Sequence, residues 1–238
     1  MLPVRRDNLM SDKNNILFCG DPHGSFHNII SAVFKYRPEA IVLLGDYNLE
    51  APLEQYLSSI IGLCKIYWIA GNHDFDSLSE YEHLFFSALS YNNLHLKVVG
   101  IAGIRIAGLG GIFLSRNWKP GDIPKWESRL HWLKCKPSNV KKIPLHIDHS
   151  IWHHDFMKMK SQIKADILVS HEAPSSHRHG YKVIDELAKD MGAKSIFHGH
   201  HHCYYNSTLS NGVHVTGTAI AGVVNLAGED LTLDQNYL

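Results

Sequence analysis

The sequence predicts an α/β layered fold in which helices cover both faces of the sheet. Three strand–loop–helix units follow one another in the first part of the chain, an order typical of layered α/β proteins. Each predicted strand is a short apolar run that ends near a glycine, as in the run before Gly20. The composition agrees, because 45% of the 238 residues are hydrophobic and 19% are charged, as in a globular protein.

The first unit has a strand over residues 16–19 and a helix that we expect Ser25 to cap and Pro38 to end near Arg37. The pattern then repeats twice. The predicted strands cover residues 41–44 and 65–70, and the predicted helices cover 52–61 and 77–89.

The second half of the chain is less uniform. Residues 94–111 read as two or three strands interrupted by glycines, whereas residues 115–151 are rich in proline and tryptophan and lack periodicity. We therefore predict a single domain over residues 1–238 with an irregular insertion at about 115–151. The remaining elements are helices over 153–164 and 181–191, strands over 167–170 and 195–197, and β-structure within 213–233.

Charge and cysteine usage limit the possible partners and location. The 23 Lys+Arg balance the 23 Asp+Glu, so no global field attracts nucleic acid or an anionic membrane. We expect no membrane partner, do not exclude nucleic acid, and infer no protein partner. The four cysteines are widely spaced and residues 1–15 lack the apolar core of a signal peptide, so we expect a cytoplasmic location.

Side chains that can bind metal ions follow five of the predicted strands. The chain also has 18 histidines, which is more than a protein of this length ordinarily contains. Strand ends of one sheet lie close together, so residues far apart in the sequence can share one site. The five runs are Gly20-Asp21-Pro22-His23-Gly24, Gly45-Asp46, Gly71-Asn72-His73-Asp74, Ser170-His171-Glu172-Ala173-Pro174 and Gly199-His200-His201-His202.

These donor types suit phosphate ester hydrolysis. Two cations about 3.5 to 4 Å apart can generate hydroxide and neutralise phosphoryl oxygens. Two +2 charges at that distance repel by roughly 20 kcal/mol at an effective dielectric near 20, so anionic ligands and preferably a bridging carboxylate are needed. Mixed oxygen and nitrogen donors without thiolate favour Mn, Fe, Co or Zn over Mg or Ca.

The order of motifs G-D-x-H-G, G-D, G-N-H-D, H-x-x-P and G-H-x-H resembles the calcineurin-like metallophosphoesterase superfamily over residues 20–202. Each motif alone is weak, but five in order at strand ends are specific. The resemblance implies an α/β fold, a four-layer α/β/β/α sandwich of the metallophosphoesterase type with a dinuclear metal centre.

The resemblance also implies a role for each residue. Asp46 would bridge the two metals, His73 would protonate the leaving group, and Asp74 would orient the His73 ring. We leave out His201, because it should point to the opposite side of an extended segment. The implied ligands are Asp21, His23 and His202 for the first metal and Asn72, His171 and His200 for the second.

One departure from the family pattern bears on the substrate. Members that act on phosphoserine and phosphothreonine usually continue the second motif as G-D-x-x-D-R-G, whereas residues 45–51 read GDYNLEA. The missing Asp and Arg favour a phosphorylated small-molecule or nucleotide substrate over a phosphoprotein. Turn formation or solvation is the alternative role for the candidate substrate-binding residues, which are Asn48, Arg116, His177 and Arg178.

We therefore expect a metal-dependent phosphohydrolase that cleaves a phosphomonoester or phosphodiester through a metal-bound hydroxide, with His73 as general acid. The expected cofactors are two divalent metal ions, Mn²⁺ first, with Fe, Zn or Co as alternatives. A catalytically inactive scaffold of the same fold and a nuclease are the rival functions; the intact donors argue against the first and the lack of a basic stripe argues against the second.

A further histidine cluster lies in and after the predicted insertion. It could line the substrate entrance or hold a third metal, but spacing alone selects poorly, and we favour a partly solvated helix start. The cluster comprises His146, His149, His153 and His154.

Overall fold

The computed structural model describes residues 13–232 and contains two β-sheets packed face to face. The predictions for residues 1–12 and for Leu233 lie outside the described residues. In the four-stranded sheet the order is β10-β1-β2-β3, with β1, β2 and β3 parallel and β10 antiparallel to β1. Its strands are β1 (Ile16–Cys19), β2 (Ala40–Leu43), β3 (Lys65–Trp68) and β10 (Val223–Asn225).

The second sheet has six strands in the order β4-β5-β6-β7-β9-β8. Strands β5, β6, β7 and β9 are parallel, and the edge strands β4 and β8 are antiparallel to their neighbours. The strands are β4 (Val98–Ile101), β5 (Ile104–Leu109), β6 (Ile167–Ser170), β7 (Ser195–His198), β8 (Tyr205–Thr208) and β9 (His214–Gly217).

Helices cover the outer face of each sheet. The four-stranded sheet carries α1 (His27–Tyr36), α2 (Leu53–Tyr56) and α3 (Leu78–Phe85). The six-stranded sheet carries α6 (His153–Gln162) and α7 (Lys182–Met191), and two short helices, α4 (Arg129–Cys135) and α5 (Leu145–Asp148), precede α6. The predicted α/β/β/α layering is therefore confirmed.

The two sheets share an apolar layer. Phe18 from β1 stacks on Phe197 from β7, with ring centroids 3.7 Å apart and planes 9° apart. Successive residues of a strand point to opposite faces, so Ile16 and Phe18 enter this layer while Leu17 and Cys19 contact the helices. Strands buried on both faces account for the continuous apolar runs in the sequence.

Several predicted elements differ in detail from the structure. Phe26, not Ser25, occupies the position before α1, and it provides no side-chain cap. The helix expected over residues 52–61 is a single turn, α2, followed by hydrogen-bonded turns in a stretch that contains two serines and a glycine. Serine competes with the backbone for hydrogen bonds and glycine favours the unfolded chain, so neither extends a helix well.

Two further differences concern the second half of the chain. The segment 115–151 is not wholly irregular, because it contains α4 and α5. Ser128 caps α4 by accepting the His131 backbone N–H. Strand β8 was not predicted, because its sequence Tyr-Asn-Ser-Thr lacks an apolar alternation.

None of the helices in residues 13–232 is long enough and apolar enough to cross a bilayer. All four cysteines are free, and Cys19 is fully buried in β1.

Candidate metal centre

The polar segments that follow β1, β2, β3, β6 and β7 meet at one end of the sandwich. His23 Nε2 lies 3.0 Å from His202 Nε2. The backbone N–H of His200 donates to Asp21 Oδ2 over 2.8 Å. Each pair is separated by 179 positions in the sequence, so the two sheets bring the predicted ligands together.

Asp46 lies at the middle of this cluster and is 1% exposed. Its carboxylate belongs to two donor groups, each with ligand atoms within 4.8 Å of one another. One oxygen accepts the His73 backbone N–H over 2.9 Å, and the other lies 3.3 Å from His171 Nε2. A carboxylate placed in this way can contact a cation on each side. The groups are His23–Asp46–His202 and Asp46–His171–His200.

His171 is fully buried with its ring fixed at both nitrogens. Nδ1 donates to the Leu44 carbonyl over 2.7 Å, which leaves Nε2 facing Asn72 Oδ1 at 3.1 Å. Burial alone would lower the His171 pKa, but the carboxylates of Asp46 and Asp21 raise it to about 10. A metal-binding imidazole is usually supported by a backbone carbonyl that accepts from its other ring nitrogen, as the Leu44 carbonyl does here. His171 is thus presented as a ligand through Nε2.

Asp21 carries an uncompensated acceptor in the interior. It is fully buried, and its Oδ1 has no hydrogen-bond partner among the described residues. Burial and the nearby Asp46 carboxylate raise the pKa of Asp21 to about 7, although His171 opposes this. A buried carboxylate oxygen without a donor is costly, and a cation removes that cost. The residues present therefore fit a metal ion.

The outer side of the cluster is open to solvent. The His202 side chain is 39% exposed, and its Nε2 lies 3.9 Å from Asp21 Oδ2. His23 Nδ1 lies 3.3 Å from Asn48 Oδ1, so the predicted substrate residue Asn48 is beside the cluster. A substrate can approach from this side without displacing the buried ligands.

The motif glycines leave room for the ligands. A Cβ at Gly71 would stand 2.5 Å from His171 Cε1, and one at Gly199 would stand 2.5 Å from Asp21 Oδ1. Gly45 has φ +110°, and its Cβ would meet the Gly71 backbone nitrogen at 2.5 Å. The glycines are needed because the loops that carry the ligands pack against one another.

Several candidate ligand positions have left-handed backbone, which is unusual for residues other than glycine. The φ values are 55° at Asp46, 72° at His200 and 52° at His202. Such conformations cost about 1–3 kcal/mol each and occur mainly at functional sites. They aim consecutive polar side chains in directions that an extended strand would not allow.

His73 lies at the solvent-exposed edge of the cluster, with 48% of its side chain exposed. Its Nδ1 is 2.7 Å from Asp76 Oδ2, and this hydrogen bond raises the pKa of His73. The expectation that Asp74 orients the His73 ring is therefore wrong. The chain forms a 3-10 turn over His73–Phe75, which places residue 76, and not residue 74, beside the ring.

Asp74 instead organises the backbone beneath the ligands. It is 2% exposed and accepts N–H groups from Asp46 at 3.0 Å, Tyr47 at 2.8 Å and Gly71 at 2.7 Å. Burial and the neighbouring Asp46 raise the pKa of Asp74 to about 7, although its backbone donors oppose this. Asp74 thereby ties the loop after β2 to the loop after β3.

His201 is part of the cluster, contrary to the expectation that it points away. The flanking residues His200 and His202 have left-handed backbone, so the segment is not extended. The His201 ring stacks on His177 with centroids 3.9 Å apart, and its buried Nε2 has no partner among the described residues. With Glu172 and His200 it forms a third group of donors within 4.8 Å.

The other predicted substrate residues differ in position. His177 reaches the cluster through its stack on His201. Arg178 and Arg116 are exposed, and neither forms a hydrogen bond or ion pair with a residue in the described range 13–232. The structure therefore brings Asn48 and His177 to the site but shows no contact for the two arginines.

The second histidine cluster divides into two parts. His153 begins α6 and packs against Trp118, in agreement with the favoured helix-start interpretation for that end of the cluster. His146 and His149 instead line a small pocket with Gly71 and Asn72. These two histidines therefore border the candidate centre.

Comparisons with known proteins agree with this geometry. A family model described as calcineurin-like phosphoesterase matches residues 15–204. An uncharacterized protein of Haemophilus influenzae is 40% identical over 192 residues, which is 79% of this chain and 83% of that protein.

Two solved structures are similar in fold. The protein TT1561 of Thermus thermophilus has a TM-score of 0.54 at 14% identity, with 90% of this chain and 96% of that chain covered. A dimetal phosphatase from Danio rerio has a TM-score of 0.52 at 14% identity, with 89% and 93% covered. At this identity the likeness shows the fold alone.

Proposed function

Because the chain belongs to the calcineurin-like phosphoesterase family, we propose that it hydrolyses phosphoesters at a two-metal centre bridged by Asp46. The observation that carries the proposal is the membership of Asp46 in two neighbouring donor groups. The proposed ligands are Asp21, His23 and His202 on one side and Asn72, His171 and His200 on the other.

Divalent ions bound there supply Lewis acidity toward phosphoryl oxygens and lower the pKa of a coordinated water. Nitrogen and oxygen donors without thiolate favour Mn, Fe, Co or Zn, and we propose Mn²⁺ as the ion used. Asp21 and Asp46 contribute the negative charge that two closely spaced cations require. The left-handed and glycine-lined backbone holds these side chains in place before substrate arrives.

In this proposal His73 supplies the proton to the departing oxygen. Asp76 accepts from Nδ1, which directs Nε2–H away from Asp76 and makes it the acidic position of the imidazolium. The exposure of the ring lets it reach a substrate bound at the open side. Protonation of an alkoxide leaving group by a positioned imidazole contributes about 10² to 10⁴ in rate.

The substrate we propose is a phosphorylated small molecule or a nucleotide, as a monoester or a diester. The stretch 45–51 lacks the Asp and Arg expected of phosphoprotein phosphatases. Asn48, beside His23, offers an amide that can donate to a phosphoryl oxygen. The free cysteines are typical of a reducing compartment, so we also propose a cytoplasmic location, which subcellular fractionation tests.

Metal content and turnover together test the proposal. Protein loaded with Mn²⁺ is analysed by inductively coupled plasma mass spectrometry and assayed with p-nitrophenyl phosphate and with bis-p-nitrophenyl phosphate. We expect about two ions per chain and hydrolysis of at least one ester. The ratio of the two rates assigns monoester or diester preference.

Three variants separate the roles. Asp46→Asn should lose both bound metal and activity, whereas His73→Ala should keep its metal and lose at least about 100-fold in kcat. His154→Ala is the matched control and should match the wild type, because the exposed His154 side chain has no hydrogen bond or ion pair within residues 13–232. Full metal content and activity in Asp46→Asn would contradict the proposal.

A further inference from the structure

A groove of about 890 Å³ lies between α3 and the segment 129–149. This volume is in the range of sites that bind small organic ligands. We call it the insertion groove. Its walls are Leu78, Tyr81, Glu82 and Phe86 on one side and Arg129, Leu133, Lys141, Lys142, Ile143, Leu145, Asp148 and His149 on the other.

The walls of the insertion groove include large apolar side chains that are exposed to solvent. Phe86 is 73% exposed, Leu78 is 60% exposed and Leu133 is 42% exposed. The Tyr81 ring lies beside Phe86 with centroids 5.9 Å apart, so the two rings form a continuous apolar surface. Grouped exposed apolar side chains usually mark a binding site.

The charge at the rim favours an anionic occupant. Lys141 and Lys142 are exposed and form no hydrogen bond or ion pair with any residue of the described range. Arg129 is neutralised, because it pairs with Asp148 and with Asp155. Of the charged groups lining the groove, the two lysines therefore outnumber the one remaining carboxylate, Glu82.

Helix α5 connects the insertion groove to the metal centre. Leu145, Asp148 and His149 line the groove. His146 and His149 line the small pocket that contains Gly71 and Asn72. His149 is common to both, so a molecule that lies across α5 contacts the groove at one end and the neighbourhood of the proposed ligand Asn72 at the other.

We propose that the insertion groove binds the organic part of the substrate, and that the substrate class is phosphoesters whose organic group is bulky, apolar and carries a further negative charge. This proposal rests on the proposed function for the position of the phosphate. The apolar walls contact the organic group, and Lys141 and Lys142 pair with its additional anion.

Binding is tested apart from hydrolysis with the probe 8-anilinonaphthalene-1-sulfonate, which is apolar and anionic but not a phosphoester. Its Kd is measured by fluorescence titration on the Mn²⁺-loaded protein. Phe86→Ala should raise the Kd about tenfold, as for loss of a large apolar contact in a pocket. The double variant Lys141→Ala/Lys142→Ala should raise the Kd and weaken its dependence on salt.

Matched controls remove the same side chains elsewhere. Tyr91→Ala deletes an aromatic side chain that is 89% exposed and outside the groove. Lys189→Ala/Lys194→Ala deletes two exposed cations outside the groove. Both should leave the Kd within twofold of wild type. Leu133→Ala provides a second groove variant, and thermal melting shows whether each variant is folded.

Steady-state kinetics test whether the groove contacts the substrate. The ratio of kcat/KM for 1-naphthyl phosphate to that for methyl phosphate should fall about tenfold in Phe86→Ala. A wild-type Kd in the folded groove variants, absence of probe binding, or a dimer that Phe86→Ala dissociates would overturn the proposal. If the proposed function alone is wrong, the groove variants should still weaken binding of the probe, but neither ester should be hydrolysed.

Discussion

Replacing Gly71 by alanine tests whether the loops that carry the proposed metal ligands are as tightly packed as the structure indicates. The new Cβ would stand 2.5 Å from His171 Cε1 and closer still to Asp46 Oδ1, whereas ordinary contacts begin near 3.4 Å. The φ of Gly71 lies outside the left-handed region, so the effect of the substitution is steric.

The expected effect follows from the size of the overlap. The His171 ring must move by about 1 Å to restore an ordinary contact, and metal–ligand distances tolerate only about ±0.2 Å. Because His171 and Asp46, the proposed bridging ligand, are both displaced, we expect Mn²⁺ affinity to fall at least about 100-fold. Overpacking of this kind also lowers the free energy of unfolding by about 1–3 kcal/mol.

Isothermal titration calorimetry with Mn²⁺ measures the affinity, and urea unfolding of the metal-free protein measures the stability. Gly62→Ala is the control, because a Cβ at Gly62 meets nothing within 4 Å and its φ is also outside the left-handed region. It should bind Mn²⁺ as the wild type does. A folded Gly71→Ala protein with wild-type affinity would refute the packing argument.

Three further predictions follow from single contacts. Asp76→Asn should lower kcat by up to about 100-fold with metal content unchanged, because the ring of His73 loses its anionic partner; unchanged steady-state rates would contradict this. Asp74→Ala should lower the free energy of unfolding by about 3 kcal/mol or more, because three backbone N–H groups lose their acceptor, and urea titration measures it. Burial lowers the pKa of His149 to about 4, so the unfolded chain binds a proton before the folded protein does as the pH falls below 6.5. Between pH 7 and pH 5 the free energy of unfolding should therefore fall by about 2 kcal/mol more in the wild type than in His149→Phe, and an equal fall in both proteins would exclude a contribution from His149.

The convergence of the candidate metal donors could be predicted because the signal is local. Each donor follows a buried run and a glycine, and parallel strands bring such positions to one edge. Asp46 and His171 illustrate this, since their neighbouring Gly45 and the run ending at Ser170 mark the strand ends in the sequence.

The partners of individual side chains could not be predicted in the same way. Whether Asp74 or Asp76 faces His73 depends on a 3-10 turn of three residues, and no periodicity reveals so short an element. His201 was expected to point away because alternation holds only in extended backbone, and the left-handed φ of its neighbours has no counterpart in residue type.

The segment 115–151 shows another limit of the sequence. The position of α5 is held by tertiary contacts, among them the stacking of His149 on Phe75 with centroids 4.5 Å apart. A four-residue helix has little stability of its own, so its place against the centre is determined by packing that the local sequence does not encode.

The division of the donors between two sheets has a consequence for biosynthesis. Residues 21–74 leave the ribosome well before residues 171–202, so the earlier strands emerge with an incomplete set of metal donors. The complete candidate site can form only after Phe18 and Phe197 have met and the sandwich has closed. A nascent chain that stalls halfway therefore carries only part of the candidate metal site.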